Sequence, residues 1–476
     1  MPSFFIRLWK SLFGNRSRSG SSYTASPRRM RNRPPTARKP RPDAAPHADP
    51  KDAAAESILA SVGVRRPLLA ASGAIAGFEF RISQQTELKL QQQATPRLQG
   101  AHVAALLVTA HLMAETGRIG FARVPAHWLV HATGLNSAKG AWVGIEAPHD
   151  PTLDLAQLRV AVLRLRASGA KVGWDVTSVF GLVPDFLLLN QGAAPMEALL
   201  RAIGTWPLTL RNLPTVVTDI ACVEDLEQAL YSGISYACGA LVPTGKEQVQ
   251  QEPLPVPPEV QRVGFLLNQL VTGAETDEIV QAIKSDVGLS YRLLCRIHSA
   301  AFAQVEAGAS IEQAVMLLGR NELYRWLSLL LVQFAGHRNV SSAWQEIALW
   351  RSRLLELLAI ERQDPASDQL FTLGLASMLS PLLKISVADV VSTLHLPEPA
   401  AQALLAHSGP WYSYLHLAQR IEAQDLGDSN ALADPFGGVT RVLALADEAW
   451  AWAKEAEHAN SNEAHDGEAA TPASVH

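Results

Sequence analysis

Two histidines, His127 and His131, stand four residues apart around Trp128-Leu-Val and could share a helix face as ligands to a metal ion. Nothing nearby completes a ligand set, so a surface or half-buried pair is the stronger reading. His407 and His416 flank a Ser-Gly-Pro-Trp-Tyr-Ser-Tyr stretch and suit a loop and a helix cap better than catalysis. Cys222, Cys238 and Cys295 are scattered and odd in number, forming neither a close metal-ligand pair nor a disulfide framework. No Gly-rich phosphate loop and no Gly-x-Ser-x-Gly elbow is present. The apolar stretch from Asp368 to Lys384 has no histidine or carboxylate between its ends. A metal-dependent hydrolase built on a helical bundle would place ligands on such a buried helix. The chemistry-bearing residues thus argue against catalysis more clearly than they identify a partner.

The elements that must position these residues divide along the chain. A length of 476 residues is too great for one core, so two or three domains are expected. With 48% hydrophobic and 18% charged residues the chain is globular. No run of about 18 apolar residues is present, and the start lacks the pattern of a secretory signal. With the cysteine usage, this points to a cytoplasmic protein. The net charge of −4 hides an asymmetry: residues 1–42 carry eleven Lys/Arg and no Asp/Glu, which leaves −15 on the rest.

Phe5, Leu8, Trp9 and Leu12 recur at helical spacing, with Ser3, Arg7, Lys10 and Ser11 opposite them. A Ser/Arg/Pro-rich stretch to Pro42 follows and reads as a disordered basic linker. An aromatic amphipathic helix on a polybasic tether is the pattern of an interfacial membrane anchor that meets anionic lipid, with Phe5, Leu8, Trp9 and Leu12 as the contact residues. A helix docked on the body and an unstructured leader are the alternatives. The same basic head has no folded reader and only Tyr23 as an interleaved aromatic, which weighs against nucleic acid.

From residue 61 to 245 short strands alternate with helices. Strands are expected at Leu68–Leu69, Ile75–Ile82, Gly120–Val124, Trp142–Glu146, Lys171–Val176, Phe186–Leu189, Leu208–Leu210, Thr215–Val217 and Ala237–Val242, with helices at His102–Glu115, Leu153–Ser168 and Leu226–Ser232. That order suggests an α/β domain with a parallel sheet, and a (β/α) barrel is its commonest closed form. Residues 246–258 hold four prolines and read as a linker. Residues 259–456 are helical throughout and form an all-α bundle, opened in part by the capping box Ser310-Ile-Glu-Gln313. Trp450 and Trp452, two apart, cannot face the same way, so one of them marks a contact surface. Residues 457–476 are polar and read as disordered.

This order resembles that of bacterial proteins that join an EAL domain to an HDOD domain. Ser285-Asp-Val-Gly-Leu-Ser-Tyr-Arg-Leu-Leu-Cys-Arg-Ile-His-Ser-Ala300 is similar to the HDOD pattern, with Val287 and His298 in place of Pro and Asn. Ser310–Gly319 matches the next helix of that family, and the helical resemblance covers roughly 258–425. Arg66-Pro-Leu-Leu and Gly77-Phe-Glu-Phe-Arg81 resemble the opening strands of an EAL domain. The resemblance places Glu79, Asp175 and Asp219 at metal-ligand positions of the EAL type, with Glu146 in ambiguous register.

The departures from the pattern decide what the resemblance implies. Arg123 replaces the expected Asn, Val176 the second Asp, Leu188 the Lys, Asn190 the following Asp and Cys238 the Gln. A cyclic dinucleotide phosphodiesterase of this type needs several oxygen ligands around Mg²⁺. Glu79, Asp175 and Asp219 are too few and read as vestigial. In the helical half Trp350-Arg-Ser352 and Ser377-Met378 stand where the related HD hydrolases carry a histidine and a His-Asp pair. The expectation is a degenerate EAL-type barrel followed by an HDOD-type bundle, with no catalytic residue, no metal and no cofactor. Such a chain would act on a signalling protein partner and could sit peripherally at the inner membrane face. The alternatives are a cyclic di-GMP sensor that does not hydrolyse its ligand, and a residual phosphodiesterase.

Overall fold

The computed structural model of the chain describes residues 65–82, 87, 88, 92, 95–132, 134–146, 152–175, 181–239, 241, 256–297, 310–334, 341–383, 385–423 and 430–469. Phe5, Leu8, Trp9, Leu12, Val176 and most of the 246–258 linker lie outside these residues.

Eight strands close into a barrel in sequence order: β1 (Arg65–Ala70), β2 (Ile75–Phe80), β3 (Ile119–Pro125), β4 (Trp142–Glu146), β5 (Lys171–Trp174), β6 (Phe186–Asn190), β7 (Thr215–Ile220) and β8 (Tyr236–Gly239). β1 runs antiparallel to both β2 and β8, and all the other pairs are parallel. The Ser72-Gly73 turn forces the first reversal, with Gly73 at φ 79°. The longer helices outside the barrel are α1 (Pro96–Ala114), α2 (Leu155–Ala167), α3 (Met196–Gly204) and α4 (Val223–Tyr231). Inside the barrel, Leu68, Phe121, Trp142, Phe186, Leu188, Val216 and Cys238 pack as a separate apolar cluster. The interior is therefore a filled core, and chemistry is confined to the rims.

One strand expectation fails. Leu208–Leu210 does not extend; Leu208–Arg211 is a single turn of helix opened by Pro207, and Leu208 is 69% exposed. β6 already pairs with β7, which leaves no place for a strand between them. The two-residue apolar alternation there was too short to separate a strand from one helical turn.

The second half is helical among the described residues: α5 (Pro258–Val271), α6 (Thr276–Lys284), α7 (Val287–Ile297), α8 (Ile311–Gln333), α9 (Ser341–Glu361), α10 (Ser367–Leu383), α11 (Val387–Thr393), α12 (Glu398–Leu405), α13 (Tyr412–Glu422) and α14 (Gly438–Ala469). The capping box at Ser310 and Gln313 forms as expected. α14 runs on past Glu457, where a disordered tail is expected, to Ala469, although Asn460, Ser461, Asn462, Asp466 and Gly467 are poor helix formers. α9 and α10 are the centre of the bundle. They meet at Gly374, where a Cβ would lie 2.5 Å from the Ser352 Cα, so only glycine allows this approach.

The barrel and the bundle share a buried interface. Trp450 on α14 stacks on Trp350 of α9 (centroids 5.0 Å, 20°) and meets Phe78 of β2 edge-on at 4.8 Å. Arg65 pairs with Asp447, Arg118 with Glu346 at 2.5 Å, and the Trp344 indole N–H donates to the Leu241 carbonyl. Trp452 faces elsewhere, edge-on to Phe371. Of the two tryptophans, Trp450 is the contact residue, and the surface it contacts is the chain's own barrel.

Candidate functional site

Parallel strands carry their C-terminal ends to one rim, which is where a (β/α) barrel displays functional side chains. Glu79 near the end of β2, Arg123 on β3, Glu146 closing β4 and Asn190 closing β6 all reach that rim. Asp175, directly after β5, lies at the same rim and is half-buried. Asp219 arrives by a different route. The register of β7 against β8 shifts between Val217 and Ile220, and Asp219 takes φ 54° there, unusual for a residue with a Cβ. The bulge turns its carboxylate toward the centre of the rim.

Arg123 sits among these carboxylates. Its Nη1 donates to Glu79 Oε1 at 3.0 Å and to Asp219 Oδ2 at 2.7 Å, while its Nε donates to Glu146 Oε1 at 2.8 Å. Arg66 adds a bond from Nε to Glu79 Oε2 at 2.7 Å and one from Nη2 to Asp219 Oδ1 at 3.1 Å. Arg81 Nη1 also reaches Asp219 Oδ1, at 2.8 Å. The Asn190 amide donates to Asp219 Oδ2 at 2.8 Å, and the Cys238 thiol donates to Glu79 Oε2 at 3.1 Å. Three guanidinium groups thus balance three carboxylates in one network.

Electrostatics follow from this pairing. Burial would push the fully buried Glu79 carboxyl up, but Arg66 and Arg123 overcome it and hold the group down at about 2. Asp219 is held at about 2 by the same competition, with Arg123 and Arg66 against burial. The Arg123 guanidinium, although desolvated, is kept charged by Glu79, Glu146 and Asp219. Burial raises the Cys238 thiol, which is inert as a nucleophile in this setting.

The donor set does not fit a divalent cation. Mg²⁺ needs free carboxylate oxygens in a near-octahedral set, and here both oxygens of Glu79 and of Asp219, and Oε1 of Glu146, already accept from guanidinium. Among the described residues no group of three or more His, Cys, Asp or Glu is disposed to hold a metal ion. Leu188, where the resemblance places a lysine, packs in the barrel interior, close enough that a Cβ on Gly144 would lie 2.9 Å from it.

Of the positions that the resemblance aligns with metal ligands, Glu79 and Asp219 are brought together, and Glu146, ambiguous in register, joins them. Asp175 shares the rim. Sequence reasoning took Arg66 and Arg81 only as part of the opening-strand motif, and Arg123 only as a lost Asn. One signal was available: Arg123 is a lone charge inside the apolar run Gly-Phe-Ala-Arg-Val-Pro, which in a buried strand demands a buried counter-charge.

The helical half carries a parallel arrangement. Arg351, 1% exposed, donates through Nε to Glu422 Oε1 at 2.7 Å and through Nη1 to Ser377 Oγ at 2.7 Å. The residues that stand at the two positions where the resemblance places hydrolase ligands are therefore adjacent in space, and the Arg351 that joins them is also paired with Glu422. His127 and Trp128 meet edge-on, and His131 is exposed. The ring of His416 stacks on Tyr412 at 5.3 Å, with His407 beside it.

Comparison with known proteins agrees with this division. The HDOD domain family model matches residues 254–391. The uncharacterised protein YuxH of Bacillus subtilis is 32% identical over 149 residues, 31% of this chain and 36% of that protein. The cyclic di-GMP phosphodiesterase CdgJ of Vibrio cholerae is 24% identical over 205 residues, 42% of this chain and 46% of that protein. The chain thus spans less than half the length of these curated relatives. A crystal structure of an EAL domain protein from Listeria monocytogenes aligns with 44% of this chain and 98% of its own, at 13% identity and a TM-score of 0.30, a likeness too low to say anything about the site. Residues 254–391 thus resemble HDOD domains and follow a closed eight-stranded barrel, the order expected from the resemblance to the EAL–HDOD proteins.

Proposed function

We propose that this chain is a non-catalytic signalling scaffold whose EAL-like barrel neither binds nor cuts cyclic di-GMP, and that it acts by protein recognition through its HDOD-type domain. One observation carries the reading: Arg123 lies bonded to Glu79, Glu146 and Asp219, so a fixed side-chain cation occupies the centre of the carboxylate set. Hydrolysis of this type needs a metal-activated water, and a guanidinium cannot ionise water. The Arg351–Glu422 pair removes the corresponding chemistry from the bundle.

The HDOD domain offers a groove of about 390 Å³ between α5, α8 and α10, with Leu270, Val271 and Phe371 as apolar floor and Arg320, Arg325 and Asp368 at its edge. Mixed apolar and charged lining suits a protein segment. The basic residues 1–42 support a peripheral position on anionic membrane. No helix among the described residues is long and apolar enough to cross one.

A second reading, a sensor that binds the nucleotide intact, is favoured by a cavity of about 400 Å³ at the rim between Arg81, Glu87 and Arg123. Calorimetry of the full chain with cyclic di-GMP, with and without Mg²⁺, followed by chromatography of the products, tests both. The proposal expects neither heat nor product. Heat without product replaces it with the sensor, and linear dinucleotide product refutes it.

A further inference from the structure

We infer that the open cleft between the barrel and the helical bundle is a binding site for an uncharged, mainly apolar small molecule. Its volume is about 540 Å³, within the range of small-molecule sites, and a domain boundary is a common place for one. Pro67 and Ile220 face it from the barrel, and Ile347, Trp350 and Ile421 from the bundle.

The class of ligand follows from charge. Three arginines line the cavity, and each holds a carboxylate: Arg65 with Asp447, Arg66 with Glu79 and Asp219, Arg351 with Glu422. An ionic ligand would have to break one of these pairs and leave a buried charge behind. An uncharged molecule breaks none. It gains the apolar walls, and the Gln419 amide, which also lines the cavity, can take one polar contact. The cavity is also held in shape. The Arg65–Asp447 and Arg118–Glu346 pairs and the edge-on Phe78–Trp450 contact fix the two halves against each other, so little ordering accompanies entry. Ala221 and Ala423, both exposed, stand at the rim. The inference is independent of whether the carboxylate cluster is catalytic.

The test uses the uncharged dye Nile red with the full chain. The expected result is saturable, blue-shifted fluorescence at one dye per chain. Ala423→Trp and Ala221→Trp, which fill the rim from exposed positions and leave the melting temperature unchanged, should each weaken binding by about tenfold or more. The anionic dye 1-anilinonaphthalene-8-sulfonate should not displace it. The inference is overturned if no saturable binding is seen, if both tryptophan variants bind the dye as wild type does, or if the anionic dye competes one for one.

Discussion

Replacing Arg123 by leucine removes one cation from a network of three guanidinium groups and three carboxylates and leaves it with a net charge of −1. Glu79 is fully buried and Arg123 only 5% exposed, so water cannot replace the lost partner. Breaking a buried pair on one side costs about 3–5 kcal/mol. The pH dependence gives a second scale. Holding the Glu79 carboxyl at about 2, against an ordinary 4.5, corresponds to roughly 3 kcal/mol at 1.36 kcal/mol per tenfold change in proton affinity. Both arguments give a few kcal/mol, a fall in melting temperature on the order of 10 °C for a domain of this size. Because the folded-state carboxyls of Glu79 and Asp219 are depressed, their stabilisation is complete above about 4.5 and is lost as pH falls toward 2. Arg123→Leu should therefore be much less stable than wild type at pH 7 and approach it near pH 3, where Glu79 can take a proton. Thermal melts followed by tryptophan fluorescence across that range measure this. A variant within about 1 kcal/mol of wild type at pH 7, with the same acid profile, would refute the account of the rim as a buried ionic network.

Three further outcomes are expected. Arg351→Met strands Glu422 and should cost about 2–4 kcal/mol, whereas Arg351→Met with Glu422→Leu should recover most of that loss in chemical denaturation. Gly374→Ala places a Cβ 2.5 Å from the Ser352 Cα and forces α9 and α10 apart, at a cost of at least about 2 kcal/mol; a neutral result in the same assay would show that the helices can separate freely. On liposomes rich in anionic lipid the full chain should sediment, while a chain starting at residue 43 should not; equal sedimentation removes the anchor reading.

Much of this fold is legible in the sequence where local pattern and tertiary role coincide. Trp142–Glu146 is a strand in both, since a short apolar run ending in one acid suits a buried barrel strand that reaches the rim. Leu208–Leu210 failed because a period of two over three residues cannot outweigh the preceding Pro207. Glu457–Ala469, read as disordered from its polarity, continues α14 despite the low helix propensity of Asn460, Asn462, Asp466 and Gly467. At the rim, the resemblance located Glu79 and Asp219 but could not show what holds them. The partners of Arg123 lie 44, 23 and 96 residues away in the chain, and Asp219 faces them only because of a bulge that no local pattern announces. The arginine at position 123 was readable as a departure from the family pattern. Which carboxylates it pairs with was not.

The central claim is that Arg123 takes the place of a metal ion, and titration of Mn²⁺ into the full chain and into Arg123→Asn tests it most directly. The account predicts no saturable heat for wild type at millimolar Mn²⁺. For Arg123→Asn, which frees the oxygens of Glu79, Glu146 and Asp219, it predicts saturable binding that is lost again in Arg123→Asn with Glu79→Gln. Saturable binding by wild type that Glu79→Gln abolishes would contradict it.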